Sequence, residues 1–206
     1  IAFFMLTGEL MTSATITDRL VALSRALIGR IRGGLAQVNV LVSMFFAGMN
    51  GSVVADTATV GALVLPAMKK AGYPAAFSAA VTGVSSTIGG IIPPSIMMIV
   101  LANSTEISIA ALFAAGIIPG VLIGIVIMII NHYFAIKYNF ERSDQPFSIR
   151  RAGKELYRSS FALLIPLVLV GSVMGGVASV VEAGAITAMV ALFTGVFVYR
   201  TIKWKD

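Results

Sequence analysis

Five long stretches without a charged side chain dictate what this chain can become. Residues 33–55, 71–105, 107–136, 159–181 and 183–199 contain no Asp, Glu, Lys or Arg. A helix needs about 20 apolar residues to cross the ~30 Å hydrocarbon core of a bilayer, so each run reaches across one or most of the way. Strands of a membrane barrel would alternate in polarity over about 10 residues, and Ile117–Ile130 shows no alternation. The fold class is therefore all-α membrane protein. Composition agrees: 58% of residues are hydrophobic and 12% charged, against about 45–50% and about 25% in soluble domains. With no cysteine and a single histidine, His132, neither a disulfide framework nor a transition-metal cluster can form. A net charge of +6 would suggest nucleic acid in a soluble protein. Here the bases fall between apolar runs, the pattern of a lipid-bilayer partner.

Those bases set the topology. Arg25, Arg30 and Arg32 precede the run at 33, and Lys69 and Lys70 follow it. Lys137, Arg142, Arg150, Arg151, Lys154 and Arg158 occupy a basic loop over 138–158 and its entrance, and Arg200, Lys203 and Lys205 close the sequence. The loops at 103–106 and 179–182 hold no base. Positive loops stay cytoplasmic. Residues 74–102 then run outward, 107–136 inward, 159–178 outward and 184–199 inward.

Residues 33–68 break this alternation, because both flanks are basic. Asn50-Gly51-Ser52 divides the segment into arms of about 17 and 16 residues, each roughly 24–26 Å long as helix and marginal for spanning. A re-entrant hairpin with its polar tip inside the membrane is the simplest reading; two short spans with an external turn is the other. Residues 71–105 would extend about 50 Å as one helix, so they need a break. Ile88-Gly89-Gly90-Ile91-Ile92-Pro93-Pro94-Ser95 supplies it: the prolines lack N–H groups and clash with a preceding turn. Half-helices over about 74–87 and 95–102 are expected, with non-helical backbone between them. Such discontinuous helices line midplane sites, where freed carbonyls bind cations and half-helix N-termini face anions.

Residues 1–14 read as the end of a transmembrane helix; the chain opens on Ile1 within an apolar stretch, as a piece of a longer protein would. Residues 15–32 read as an amphipathic interfacial helix with Leu20, Leu23, Leu27 and Ile31 on one face and Thr17 or Asp18 as its cap. Ser148–Ser160 is a second, shorter basic candidate.

Asp56 lies four residues beyond the hairpin tip. A carboxylate at membrane depth is costly and has a functional role by default; a structural acid bonded to backbone N–H groups or a nearby arginine is the alternative. Asn50, Ser52, Thr57 and Thr59 supply neutral oxygens near the tip, and Ser85, Ser86, Thr87 and Ser95 do so around the break. Hard cations favour such oxygen ligands. Ser78 and Thr82 read as ordinary helix packing, as does the Gly116/Gly120 spacing. His132 reads as packed or interfacial. No enzyme motif is present: there is no Gly-x-Ser-x-Gly elbow, His-Glu-x-x-His or Walker loop.

Several segments form one series: Arg32-Gly33-Gly34-Leu35-Ala36, Phe45-Phe46-Ala47-Gly48-Met49-Asn50-Gly51-Ser52-Val53-Val54-Ala55-Asp56, Pro66-Ala67-Met68-Lys69-Lys70-Ala71-Gly72-Tyr73, Ile91-Ile92-Pro93-Pro94-Ser95, and Leu112-Phe113-Ala114-Ala115-Gly116-Ile117-Ile118-Pro119-Gly120. In order and spacing they resemble the large membrane subunit of tripartite ATP-independent periplasmic (TRAP) transporters, across most of the chain. The resemblance implies a multi-pass permease of the bacterial inner membrane, an elevator-type secondary transporter built from inverted repeats. Its expected partners are a small membrane subunit, a periplasmic binding protein that delivers an organic acid, and the bilayer, with no nucleic acid. No cofactor is expected beyond Na⁺ as coupling ion.

By this resemblance the Na⁺ ligands are Asn50, Ser52, Ser86, Gly89 and Ile92. The substrate contacts are Ser52, Thr57, Thr87, Pro94 and Ser95, and Asp56 lends electrostatic support. Residues 71–137 form the broken helix and following transmembrane helix of the transport domain, and residues 159–206 two scaffold helices opening the second repeat. Family tips commonly read Ser-Gly-Ser, whereas Asn50 stands first here. Family members also run well beyond Asp206, so the second hairpin and second broken helix are not in this sequence. Two other functions fit the residues: a dicarboxylate or proton-coupled exchanger of the same elevator plan, and a non-transporting membrane scaffold subunit.

Overall fold

A computed structural model describes residues 2–13, 16–29, 31–140, 147–199 and 201, with backbone alone for Ala2, Phe4, Met5, Thr12, Ser13 and Asn50. Arg30, Arg142, Arg200, Lys203 and Lys205 of the charge pattern lie outside the described residues. Among those described, regular structure is entirely helical. The chain begins with α1 (Ala2–Ser13), α2 (Ile16–Ile28), α3 (Gly34–Asn50), α4 (Val53–Lys70) and α5 (Ala75–Ser86). It continues with α6 (Ile96–Thr105), α7 (Ile109–Lys137), α8 (Ile149–Arg158), α9 (Ser160–Met174) and α10 (Val180–Phe193). A 3-10 turn covers Thr87–Gly90, and a π turn, Thr194–Val198, extends α10.

The long apolar runs become helices of unequal length. α7 has 29 residues, about 43 Å at 1.5 Å per residue, and is long and apolar enough to cross a bilayer. α10 with its π turn is the other single helix long and apolar enough to cross, and α8 and α9 pass the same test together across a 61° bend. In contrast, α5 and α6 hold 12 and 10 residues, so neither crosses alone. The helix expected through residue 87 ends at Ser86, and its partner starts at Ile96 rather than 95. Ser95 stands outside the helix as its N-cap, accepting from Met98 N at 3.3 Å.

α3 is the centre of the packing. It touches α1, α2, α4, α5, α7, α9 and the 3-10 turn, while α10 packs on both α1 and α9. One apolar cluster joins Met11, Leu20, Phe46, Met49, Ile88 and Ile165 across these elements. A second, smaller cluster holds Phe113, Leu169, Val173 and Ala183. Apolar side chains exposed on α7 and α10, such as Ile118, Ile129 and Met189, present the surface that suits lipid.

Two expectations for α2 are corrected. The helix is already running at Ile16, so Thr17 and Asp18 lie in its first turn and do not cap it. Its buried face holds Ile16, Leu20, Leu23 and Ser24, whereas Leu27 and Ile31 are exposed. Helical spacing alone placed Leu27 with Leu20 and Leu23; the helix in fact ends at Ile28, before Ile31 could share a face.

Candidate functional site

The site grows from two chain interruptions that meet. α3 ends at Gly51, which takes φ 61°, a left-handed conformation, and α4 begins after Ser52. Only glycine adopts such a φ without steric cost. A Cβ on Gly51 would also collide with the Pro94 carbonyl and lie 3.0 Å from Ile96 N. The closeness serves a bond: Ile96 N donates to Gly51 O at 3.1 Å. The hairpin tip is thereby tied by its backbone to the first residue of α6. On the other side, Gly89 faces the Ser52 and Val53 backbone, and an added Cβ would make ordinary van der Waals contact with both at 3.8 Å.

Four helix ends therefore converge. α3 and the α5/3-10 segment arrive with their C-terminal carbonyls, and α4 and α6 depart with their N-terminal N–H groups. Ser52 and Ser95 cap the two departing helices. The macrodipoles place partial negative charge on the arriving pair and partial positive charge on the departing pair. Such a crossing can hold a cation on one side and an anionic group on the other.

α7 braces the break from behind. A Cβ on Gly116 would strike the Ile91 carbonyl, and one on Gly120 would strike Ile92 Cγ1. The small-residue spacing therefore admits both the unwound strand and the neighbouring helix α6, whose Met98 side chain also fills the space at Gly116. Gly124 continues this face against α3, where Met44 Sδ fills the space that a Cβ would need.

Asp56 sits one turn into α4, fully buried, and neither carboxylate oxygen has a hydrogen-bond partner among the described residues. Its nearest polar neighbours are the hydroxyls of Ser43 and Ser86. The two differ in engagement: Ser43 Oγ shares a 3.2 Å contact with Ser85 Oγ, whereas Ser86 Oγ is buried without a partner among the described residues. The alternative of an acid bonded to backbone N–H groups or a nearby arginine is not met among the described residues. No Asp, Glu, Lys, Arg or His occurs in α3, α5 or the 3-10 turn, the elements packed closest on α4. A buried charge without a counter-charge is strongly unfavourable, and the Ser43 and Ser86 hydroxyls are the donors nearest to this one.

The remaining site residues divide by exposure. Ser86, Gly89, Pro94 and Ser95 are buried, and Ser52 and Ile92 are half-buried. The Asn50 side chain lies outside the described residues. Ser95 Oγ donates to Gly90 O at 2.8 Å, closing the break on itself. Thr57 and Thr87 are exposed and donate to carbonyls of their own helices, Val53 O at 2.8 Å and Val84 O at 2.7 Å. The structure thus gathers Ser52, Ser86, Gly89 and Asp56 around the crossing and leaves Thr57 and Thr87 on its open face. His132 is exposed near the inner end of α7, while its neighbour Asn131 is buried.

One part of the site is not apparent from the sequence. Asn39 Nδ2 donates to Thr82 Oγ1 at 2.7 Å, and Ser85 Oγ donates to Asn39 Oδ1 at 3.3 Å. With Ser43 they form a buried polar chain from α3 to α5 that ends beside Asp56. Thr82, expected to be ordinary packing, is a member of it. Its sequence signal is polar residues at i, i+3 and i+4: Asn39 and Ser43 on one helix, Thr82, Ser85 and Ser86 on the other.

Comparison with known proteins accounts for this architecture. The sequence model of the family described as tripartite ATP-independent periplasmic transporter, DctM component, matches residues 1–206. The chain is 36% identical over 206 residues to a C4-dicarboxylate TRAP transporter large permease protein of Pseudomonas aeruginosa, covering 100% of this chain and 48% of that protein. It is 36% identical over 202 residues to a sialic acid TRAP transporter large permease protein of Vibrio cholerae, covering 98% and 47%. A 2,3-diketo-L-gulonate TRAP transporter large permease protein of Escherichia coli is 38% identical over 204 residues, covering 99% and 48%. The chain spans about half the length of the curated relatives it matches. These relatives are permease subunits rather than enzymes, and they lend no support to an unrelated exchanger or a non-transporting scaffold. The chain is a membrane protein that belongs to the DctM-component family of tripartite ATP-independent periplasmic transporters.

Proposed function

We propose that the complete subunit imports an organic acid across the bacterial inner membrane, coupled to Na⁺. It receives its substrate from a periplasmic binding protein and works with a small membrane subunit. The carboxylate class follows from the relatives' names: C4-dicarboxylate, sialic acid and 2,3-diketo-L-gulonate all carry a carboxylate.

Asp56 is the observation that carries the Na⁺ reading. Its buried, unpartnered carboxylate and the unpartnered Ser86 hydroxyl stand beside the helix crossing. A cation entering such a site must exchange water for close oxygens, or burial costs too much. Carbonyls of Gly89 and Ile92 and side-chain oxygens of Asn50, Ser52 and Ser86 would ligate it, and Asp56 would add attraction across the pocket. Occupation would tie the hairpin tip to the unwound strand. The N–H ends of α4 and α6, with Ser52, Thr57, Thr87 and Ser95 and the turn at Pro94, would then present a surface to the substrate carboxylate.

In this reading α3 and α4 form a re-entrant hairpin whose tip stays within the bilayer. The body from α3 to α7 shifts as an elevator against α1, α9 and α10. Ser52→Ala in the complete transporter tests the ion site. We expect the Na⁺ concentration for half-maximal uptake to rise about tenfold, the value of roughly one charge-assisted ligand, with expression and complex assembly retained. Wild-type Na⁺ dependence in this variant would remove Ser52 from the site.

A further inference from the structure

We propose that α8 is a docking surface for anionic phospholipid headgroups, seated at the membrane interface beside α2. The argument begins with its ten residues. Ile149 and Leu156 mark one helical face, while Arg150, Arg151 and Lys154 mark the opposite one, as the 100° step per residue requires. All five side chains are exposed. Glu155 is the sole acid on α8 and pairs with Arg158 at 3.4 Å, so the helix as a whole carries an excess of positive charge.

Position makes this amphipathicity meaningful. α8 runs directly into α9, yet the axes bend by 61° at Ser159. One helix therefore enters the membrane while the other turns away from that direction. The turn is fixed on its inner side. Ser159 Oγ donates to Arg19 O at 3.3 Å, Tyr199 Oη donates to Arg158 O at 3.1 Å, and the Arg19 guanidinium lies 3.9 Å over the Tyr199 ring. α2 and the end of α10 thus occupy one side of α8 and leave both the apolar and the basic faces exposed. A helix with a half-buried flank at Ala152 and Glu155, an exposed apolar face and a basic face opposite it fits the headgroup–acyl boundary. The basic face selects the lipid: about 1 kcal/mol per base near an anionic surface multiplies across three bases.

The test uses the complete transporter in nanodiscs of phosphatidylcholine with spin-labelled phosphatidylglycerol or spin-labelled phosphatidylcholine as probe. We expect the wild-type protein to enrich phosphatidylglycerol over phosphatidylcholine in its lipid shell. The triple variant R150Q/R151Q/K154Q should lose most of that preference, on the order of tenfold or more. The charge-conserving variant R150K/R151K, with Lys154 left in place, should keep it. Equal preference in the wild-type and triple glutamine proteins would overturn the proposal. So would abolition of the preference by millimolar inorganic phosphate at constant ionic strength, which would mark a site for free phosphate. Loss of preference in the lysine variant would likewise contradict an electrostatic headgroup surface. These readouts report lipid association, so they are independent of Na⁺-driven uptake.

Discussion

Gly51→Val is expected to abolish uptake and to lower the stability of the subunit by about 3 kcal/mol or more. The left-handed φ of 61° at this position costs an L-residue about 1–2 kcal/mol, and a β-branched side chain makes it worse. Overpacking against fixed neighbours adds about 1–3 kcal/mol. Those neighbours are backbone atoms, the Pro94 carbonyl and Ile96 N, and they cannot rotate away as a side chain could. Relieving the clash means separating the hairpin tip from the broken helix and losing the Ile96–Gly51 bond. The measurement is thermal unfolding of the complete subunit in detergent together with uptake in proteoliposomes. Gly51→Ala should fall between wild type and valine on both scales. A valine variant with wild-type melting and transport would show that tip and break need not touch.

Asp56→Asn should separate stability from function. The amide has nearly the same shape but no charge, so it removes the burial penalty of an unpartnered carboxylate. In Na⁺-free buffer the variant should be as stable as wild type or more so, by about 1–3 kcal/mol. Uptake at a fixed sub-saturating Na⁺ concentration should fall at least tenfold, on the order of the loss of one close charge interaction. Na⁺ should raise the melting temperature of the wild-type protein and leave that of the variant nearly unchanged. A variant destabilised without Na⁺ and still stabilised normally by it would make Asp56 a structural residue.

Chain punctuation was the most legible part of this fold. Pro93 and Pro94 cannot continue a hydrogen-bonded helix, and residues 71–105 form an uncharged run too long for one span, so covalent chemistry alone required an interruption. Gly51 likewise announced a turn between two arms whose lengths follow from the positions of Arg32 and Lys69. Class and family were legible for the same reason: hydrophobic run lengths and short motifs are local properties.

Partnership between distant helices was not legible. A serine or threonine in a membrane helix can bond its own carbonyl at i−4, as Thr57 and Ser78 do here. Nothing in the sequence says which of them turns outward to another helix. The Asn39–Thr82–Ser85 chain depends on α3 facing α5 at one particular register. Gly116 illustrates the same limit: its spacing signalled a close approach, but only the fold shows that the Ile91 carbonyl comes close together with Met98 of α6. Exposure of Leu27, still inside α2, depends on which elements reach the end of that helix, whereas Ile31 leaves the face because Gly29, with φ 59°, follows the last helical residue.

In the proposed function, the crossing of hairpin tip and broken helix is the coupling-ion site of an organic-acid importer. Uptake by the complete transporter in proteoliposomes, with its binding protein and a labelled C4-dicarboxylate or sialic acid outside, tests it most directly. Na⁺ and proton gradients are imposed separately, with choline replacing Na⁺ in the second arm. We predict accumulation under an inward Na⁺ gradient alone and none when choline replaces Na⁺, whatever the proton gradient. Undiminished accumulation in choline, following the proton gradient, would contradict the account.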